Sequence, residues 1–518
     1  MGPVVVWILG DQVLERHPAL ARAEQLAPRE NIRVLLVESR MRLSQQPYHR
    51  RKLTLILSAM RHYAESLRAA GWSVDLAAAD DFSTALHAHA ETCRPSRLLC
   101  MAASEFAARR LQEGLSATYP APVEVLPNTQ FLIGQFDPWA GEDPRLTVME
   151  TFYRRMRQHF GLLLESDGSP AGGRWNFDAD NRKPLPARTA IPDPRCFQPD
   201  PITRRVIAEV ENIPGAIGPA AGFDLPVTRA DALASLDDFI AHRLPAFGPF
   251  EDAMRSGEGV LFHSRLSAAL NIGLLEPLEV ARAAEQAWRD GRAPIESVEG
   301  FVRQIIGWRE YVAWHYWRQM PGLWEANAWE ARAPLPAWFW SGDTDLACLR
   351  DVLRRVLATG YSHHIERLMI LCNFSMLAGL DPAEVAHWFL AAYEDAYEWV
   401  VLPNVIGMGL NADGGRVATK PYVSAAAYIN RMSDFCRGCR YDRNRRTGDG
   451  ACPYNTLYWD FMIRNETRLK ANPRTGPAVL GVARIGPDER AAIAAQADAF
   501  RASLPAYAAD SGAAPCEA

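Results

Sequence analysis

The chain has 518 residues, 48% hydrophobic and 23% charged, with a formal net charge of −5. That length exceeds what one core fills, so two domains are expected, and the charge excludes a broadly basic surface while leaving room for a local one. No run of about 18 apolar residues and no leader-like opening is present, so the expected location is the cytoplasm with no membrane contact, where nine cysteines point to metal, redox work or burial rather than disulfides.

Residues 3–127 alternate strand-like and helical patterns. Val4–Leu9 is an apolar run ended by Gly10-Asp11-Gln12, and Val34–Val37 is a second, ended by Glu38-Ser39. Weaker runs lie near Val74 and Leu98 and at Val123–Val125. Between them Leu53, Ile56, Leu57, Met60, Tyr63 and Leu67 recur at helical spacing, with Gly71 as the stop. This predicts an α/β unit whose parallel sheet is covered on both faces. Ligands of such sheets lie beyond the carboxyl ends of the strands, so Gly10, Asp11 and Glu38 form a candidate rim, with plain turns the alternative. Arg40, Arg42, His49, Arg50, Arg51 and Lys52 are a basic run, readable as a nucleic-acid patch or a solvated face.

From Pro170 to Pro226 ten prolines fall in 57 residues, which predicts a long surface connection that belongs to neither core. The expected division is therefore 1–130 as the α/β domain, 131–228 as the connection and 229–518 as an all-α domain. In the last, Phe301, Ile305, Trp308 and Val312 form an apolar stripe with Arg303, Arg309 and Glu310 off it. A final helix carries Ile493, Ala497, Phe500 and Leu504, followed by an alanine-rich end expected to fray.

Chemistry-bearing residues cluster in this half. Cys436-x2-Cys439-x12-Cys452 can converge on one metal centre, with Cys348 the candidate fourth ligand. Structural zinc and an iron–sulfur cubane both fit that spacing, and free buried cysteines are the third reading. Ser264-Arg265-Leu266-Ser267, at the start of a helical stretch, suits a phosphate cradle or simple capping. Aromatic and polar residues of 303–311 and 395–404 could wall a flat heterocycle. Nine of fifteen tryptophans fall between Trp308 and Trp399, serving as core or, for Trp388 and Trp340 with Tyr428, as an electron relay. His363-His364 offers a proton donor; on a helix the two point about 100° apart, so one at most is expected to face a given pocket. A second basic run comprises Arg437, Arg440, Arg443, Arg445 and Arg446.

The segments 8–12, 48–67, 262–273, 301–311, 363–379, 395–408 and 420–439 together resemble the iron–sulfur bacterial cryptochromes and (6-4) photolyases. The resemblance implies the photolyase/cryptochrome fold: a Rossmann-like antenna domain and a large all-α FAD domain. It implies a [4Fe–4S] cluster on Cys348, Cys436, Cys439 and Cys452. FAD would be bordered by Ser264, Arg265, Leu266, Ser267, Glu299, Arg303, Trp308, Arg309, Asp395, Tyr397 and Asn404. A 6,7-dimethyl-8-ribityllumazine antenna would lie near Gly10, Asp11 and Glu38, and the relay would be Trp388, Trp340 and Tyr428. His364, with Tyr422, would face a flipped-out pyrimidine dimer in UV-damaged DNA, bound by a monomer. The implied activity is light-driven repair of (6-4) photoproducts; the alternative is a blue-light photoreceptor regulating gene expression through a protein partner. A flavin-free iron–sulfur nucleic-acid protein is a third possibility. One departure stands out: Glu366 replaces the glutamine expected in repair enzymes, and a carboxylate there is expected to repel a DNA phosphate or alter lesion binding.

Overall fold

The computed structural model describes residues 2–141 and 148–505; the alanine-rich end and Cys516 lie outside the described residues. Five strands, β1 (Val4–Ile8), β2 (Ile32–Ser39), β3 (Ser73–Ala79), β4 (Arg97–Met101) and β5 (Val123–Leu126), form one sheet in the order β3-β2-β1-β4-β5. Every pairing is parallel, with Val6 opposite Val34 on one side and Leu99 on the other. All of β1 is buried, and alternate residues feed two separate clusters, Val4, Val6 and Ile8 on one face and Val5 and Trp7 on the other. The expected α/β architecture is thus met, and the strand order reverses at β1 and β4, where a crevice opens at the carboxyl ends.

Helix Arg50–Ala69 carries the predicted apolar face and ends before Gly71, whose φ of +85° suits glycine. The basic run before and at its start is only partly a solvated face: Arg40 is exposed, but the end of the run is not. His49, Arg51 and Lys52 are buried against the helical half, with Arg51 paired to Asp224 and Glu394. Those partners lie far away in sequence, so the run reads as surface until the chain is folded.

The connection is also more structured than its prolines suggest. Helix Pro201–Val210, capped by Asp200 with proline in its first turn, buries Val206 and Val210 against Tyr48, Leu53 and Leu57. The Asp-Pro start was a legible signal outweighed by proline density.

The remainder is helical around the largest core cluster. Three stretches are wound as π-helix: Arg303–Trp308, Arg367–Cys372 and Pro403–Gly409. Each falls inside a segment singled out from the sequence, and π turns favour functional positions because they break the side-chain register. The first corrects the predicted stripe: Trp308 is only half-buried, while Arg303, Arg309 and Glu310 are buried as ion pairs. Among the described residues no helix is long and apolar enough to cross a membrane.

Candidate functional site

The crevice at the end of β1 is lined by Gly10, Asp11, Glu38, Arg42, Tyr48, Lys52, Ser104 and Glu105, and, from the helical half, Tyr397. A Cβ on Gly10 would stand 2.6 Å from Met60 Sδ, so glycine lets helix Arg50–Ala69 pack against the strand end. Asp11 accepts from Ser104, and burial lifts its carboxyl to about 6. Glu38 is held by Arg61 at 2.8 and 3.0 Å. Arg42 pairs with Glu105, which also accepts from the Glu398 amide at 2.8 Å. The sequence placed Tyr397 beside flavin; the structure puts its ring in this crevice, with Gly10 and Asp11, because the chain after Asp395 is extended. Lys52, Arg42 and Tyr48 were missed, since their roles depend on partners from other elements.

A second constellation lies in the helical half. Asp395 receives Arg367 through two bonds of 3.0 and 3.1 Å, Ser267 Oγ at 2.6 Å and, at its carbonyl, Asn271 Nδ2 at 2.8 Å. Burial pushes its carboxyl up, but Arg367 and Ser267 outweigh that and hold it below the usual range. Ser264, Arg265 and Leu266 precede Ser267 on the same turn, Arg265 at a φ of +56° that aims its guanidinium at Asp224. Ser264 and Arg265 share a small cavity with Arg243, which is 2% exposed. Nε and Nη1 of Arg243 and Nε of Arg265 have no hydrogen-bond partner, and burial lowers the Arg243 pKa with only Asp238 paired to it. Unfilled guanidinium donors beside a serine fit an anionic, diphosphate-bearing ligand. Arg243 and Asn271 were not singled out in the sequence because no motif marks them, and Arg367 was noted only as the neighbour of Glu366, with no part in this group.

Other expected flavin neighbours are distributed differently. Glu299 and Arg303 form a buried pair at 2.7 Å, with Arg303 also 3.1 Å from Asp178 of the connection. Arg309 pairs with Glu310, donates to the Gln130 carbonyl and lies over the rings of Phe131 and Trp399. Trp308 packs edge-on to Tyr311, and Asn404 donates to the Val400 carbonyl within its own helix. From Arg367 a chain of rings leads outward: its guanidinium is 4.0 Å from the Tyr393 ring, Tyr393 is 5.9 Å from Trp388, and Trp388 is 5.1 Å from Phe339, next to half-buried Trp340. Tyr428 donates to Asp252 at 3.4 Å.

Asp252 also faces His364, 3.7 Å from its Nε2. His363 caps the helix with extended ψ rather than lying in it, so helical geometry does not separate the two rings as expected. Both reach His263, stacked on His363 at 4.3 Å and tilted to His364 at 5.2 Å. The three offer ligand atoms within 4.8 Å of one another, and both His263 nitrogens also face backbone carbonyls, of Val260 at 2.9 Å and of Glu251 at 3.0 Å. Only His364 of the three is exposed. Around it stand Arg182, paired with Glu251, and Tyr422, whose phenol burial pushes up against the pull of Arg182.

Glu366 corrects an expectation. It is 0% exposed, bonded to Arg355 at 2.5 and 3.1 Å, so it cannot meet a DNA phosphate. Burial raises its carboxyl to about 7 against the pull of Arg355. The second basic run is exposed and paired, Arg440 with Asp345 and Arg446 with Glu489, while Arg443 lines the cysteine pocket.

That pocket gathers Cys348, Cys436, Cys439 and Cys452 with Leu346, Ile429, Phe435 and Tyr454. Burial and the neighbouring sulfurs push the Cys348 thiol well up, and Cys452 rises to about 11. Four thiols lining one small pocket suit a cationic centre that takes them as thiolates.

Residues 6–225 match the family described as deoxyribodipyrimidine photo-lyase-related protein. Across 509 residues the chain is 42% identical to a (6-4) photolyase of Agrobacterium fabrum, covering 96% of this chain and 99% of that one. A deoxyribodipyrimidine photo-lyase of Thermus thermophilus is 25% identical over 457 residues, 86% of this chain and 91% of that one. Among solved structures, a bacterial class III photolyase from Agrobacterium tumefaciens superposes with a TM-score of 0.54 at 17% identity, over 83% of this chain and 86% of that one. A Synechocystis cryptochrome gives 0.54 at 13% identity, over 83% of this chain and 88% of that one. These two fix the fold, and the long alignment at 42% identity fixes the kinship: the chain belongs to the photolyase–cryptochrome family.

Proposed function

We propose that this chain is a light-driven lyase that repairs (6-4) pyrimidine photoproducts in DNA, with FAD in the helical half, a [4Fe–4S] cluster on the four cysteines and a ribityllumazine antenna in the sheet-end crevice. The observation that carries the reading is His364, the exposed member of a buried histidine group, facing Asp252 at 3.7 Å within a ring of Arg182, Tyr422 and Tyr428. A damaged base is cheaper to extrude than an intact one, and an exposed imidazole at a half-closed mouth can meet it.

When bound, reduced FAD supplies a single electron on absorbing blue light. Arg243 and Arg265 would hold its diphosphate, and the Arg367–Asp395–Ser267 group would border its ring. His364 donates a proton to the lesion. Asp252 is kept below the ordinary carboxylate range, burial being outweighed by His364 and Arg182, and so presents an anion that orients the ring. Arg182, half-exposed and reaching Glu251 and Asp252, brings the connection against this mouth and supplies a cation for a flanking phosphate, while buried Arg303 anchors Asp178 of the same connection.

The test is a short oligonucleotide carrying one (6-4) lesion, illuminated with blue light beside the photoreduced protein. Loss of the lesion, and its retention in the dark or with His364→Ala, is expected. Tight DNA binding with the lesion intact under light would overturn repair and leave the photoreceptor role.

A further inference from the structure

The tripeptide Asp395-Ala396-Tyr397 links the two sites. Asp395 is fixed in the helical constellation by Arg367 and Ser267, whereas Tyr397 forms a wall of the sheet-end crevice, its hydroxyl buried without a partner among the described residues. Between them, the Ala396 carbonyl accepts from Lys52 Nζ at 2.6 Å, with the Leu390 carbonyl 3.4 Å away. Lys52 stands on helix Arg50–Ala69, whose apolar face packs on the sheet. It is 3% exposed, and its ammonium lies 4.3 Å from the Tyr48 ring and 5.1 Å from the Tyr397 ring.

An ammonium is costly to bury, and here it makes no direct ion pair. Burial pulls it down to about 7; Arg42 opposes its charge, while Glu105, Asp395 and Glu398 favour it. A buried methionine would pack as well without that cost, but it could not hold the backbone of 396. The geometry therefore assigns a mechanical task to the amine. A segment that carries the anchor of the helical constellation at one end and a wall of the crevice at the other links the two sites, and a tether at its midpoint removes the slack that would let them move separately.

We propose that Lys52 is a positioning residue whose bond to the Ala396 carbonyl couples the two pockets, so that a ligand in the sheet-end crevice tightens flavin binding in the helical half, and the reverse. This rests on the assignment of FAD and a ribityllumazine to those pockets.

The test uses the FAD-loaded full chain stripped of antenna. Lumazine binding is followed by its own fluorescence, and FAD release by the rise in flavin emission. In the wild type, saturating lumazine should slow FAD release by about fivefold or more. In Lys52→Met and Lys52→Gln, lumazine should still bind while that slowing falls to near nothing. Equal slowing in wild type and both variants overturns the coupling, as does binding without slowing in the wild type. If the wild type binds no lumazine, the antenna assignment itself fails. Should the methionine variant misfold, the glutamine variant and the wild-type comparison still decide.

Discussion

The sheet-end crevice and the cysteine pocket are both cavities lined by residues distant in sequence, and they solve opposite problems. The crevice mixes Asp11, Glu38 and Glu105 with Arg42 and Lys52, so its charges are largely settled before any ligand arrives. The cysteine pocket holds four thiols among mostly apolar side chains, and those of Cys348, Cys436 and Cys452 are pushed up by burial and by neighbouring sulfurs. On the proposed reading the first is built for a guest that comes and goes, and the second would be complete only when a metal centre makes thiolates of its ligands. Loss of the guest should therefore leave the fold intact, whereas loss of the metal should not.

Cys439→Ser tests the second half of that contrast and carries the largest expected effect. Metal-binding energy in a structural site is folding energy, on the order of 10 kcal/mol. Iron content measured on purified protein should collapse, and soluble yield with it. Unchanged iron in Cys439→Ser would remove it from the ligand set. Next in size is Arg367→Met, which leaves the 6%-exposed Asp395 carboxylate without its main partner. Breaking a buried pair from one side costs about 3–5 kcal/mol. Urea unfolding should register that loss, and flavin content should fall, while iron stays bound.

What the sequence could reveal divides along the same line. The strands were legible because β1 and β2 are apolar runs buried on both faces, and the cysteine set because its spacing is local apart from Cys348. The crevice was only half legible. Gly10, Asp11 and Glu38 follow from where strands end, but Arg51 and Lys52 read as a surface patch, their partners being Asp224, Glu394 and the Ala396 carbonyl. Glu366 misled for the same reason: a carboxylate is assumed exposed until Arg355, eleven residues back, is found beside it. The three π turns were not foreseeable from a 3.6-residue period, and they shifted Trp308 out of its predicted stripe.

Glu366 offers a pH test smaller than either. Burial raises its carboxyl from 4.5 to about 7, so the folded chain holds the proton more tightly than the unfolded one. That contribution to stability is full below pH 4.5 and is lost as pH rises to about 7. Glutamine has no such dependence. Glu366→Gln should therefore gain on the wild type between pH 5 and pH 8, by on the order of 3 kcal/mol, whatever constant offset the lost bond to Arg355 adds. Denaturant midpoints at the two pH values measure it. Parallel wild-type and variant curves would mean that Arg355 keeps Glu366 ionised throughout.

The smallest expected effect belongs to the crevice. Asp11→Asn keeps a side chain that Ser104 can bond but removes an anion that burial already holds near 6. If that carboxylate receives hydroxyls of a ribityl chain, the charged acceptor is worth about 1.4 kcal/mol over the neutral one, and lumazine affinity should fall about tenfold. The wild type should show a similar weakening as pH drops through 6, and the variant none. FAD content, iron content and melting temperature should not move, because Asp11 touches neither the Arg367–Asp395 group nor the cysteine pocket. A fall in iron or flavin alongside the antenna would show the crevice to be part of the fold's foundation, and the contrast with the cysteine pocket would be lost.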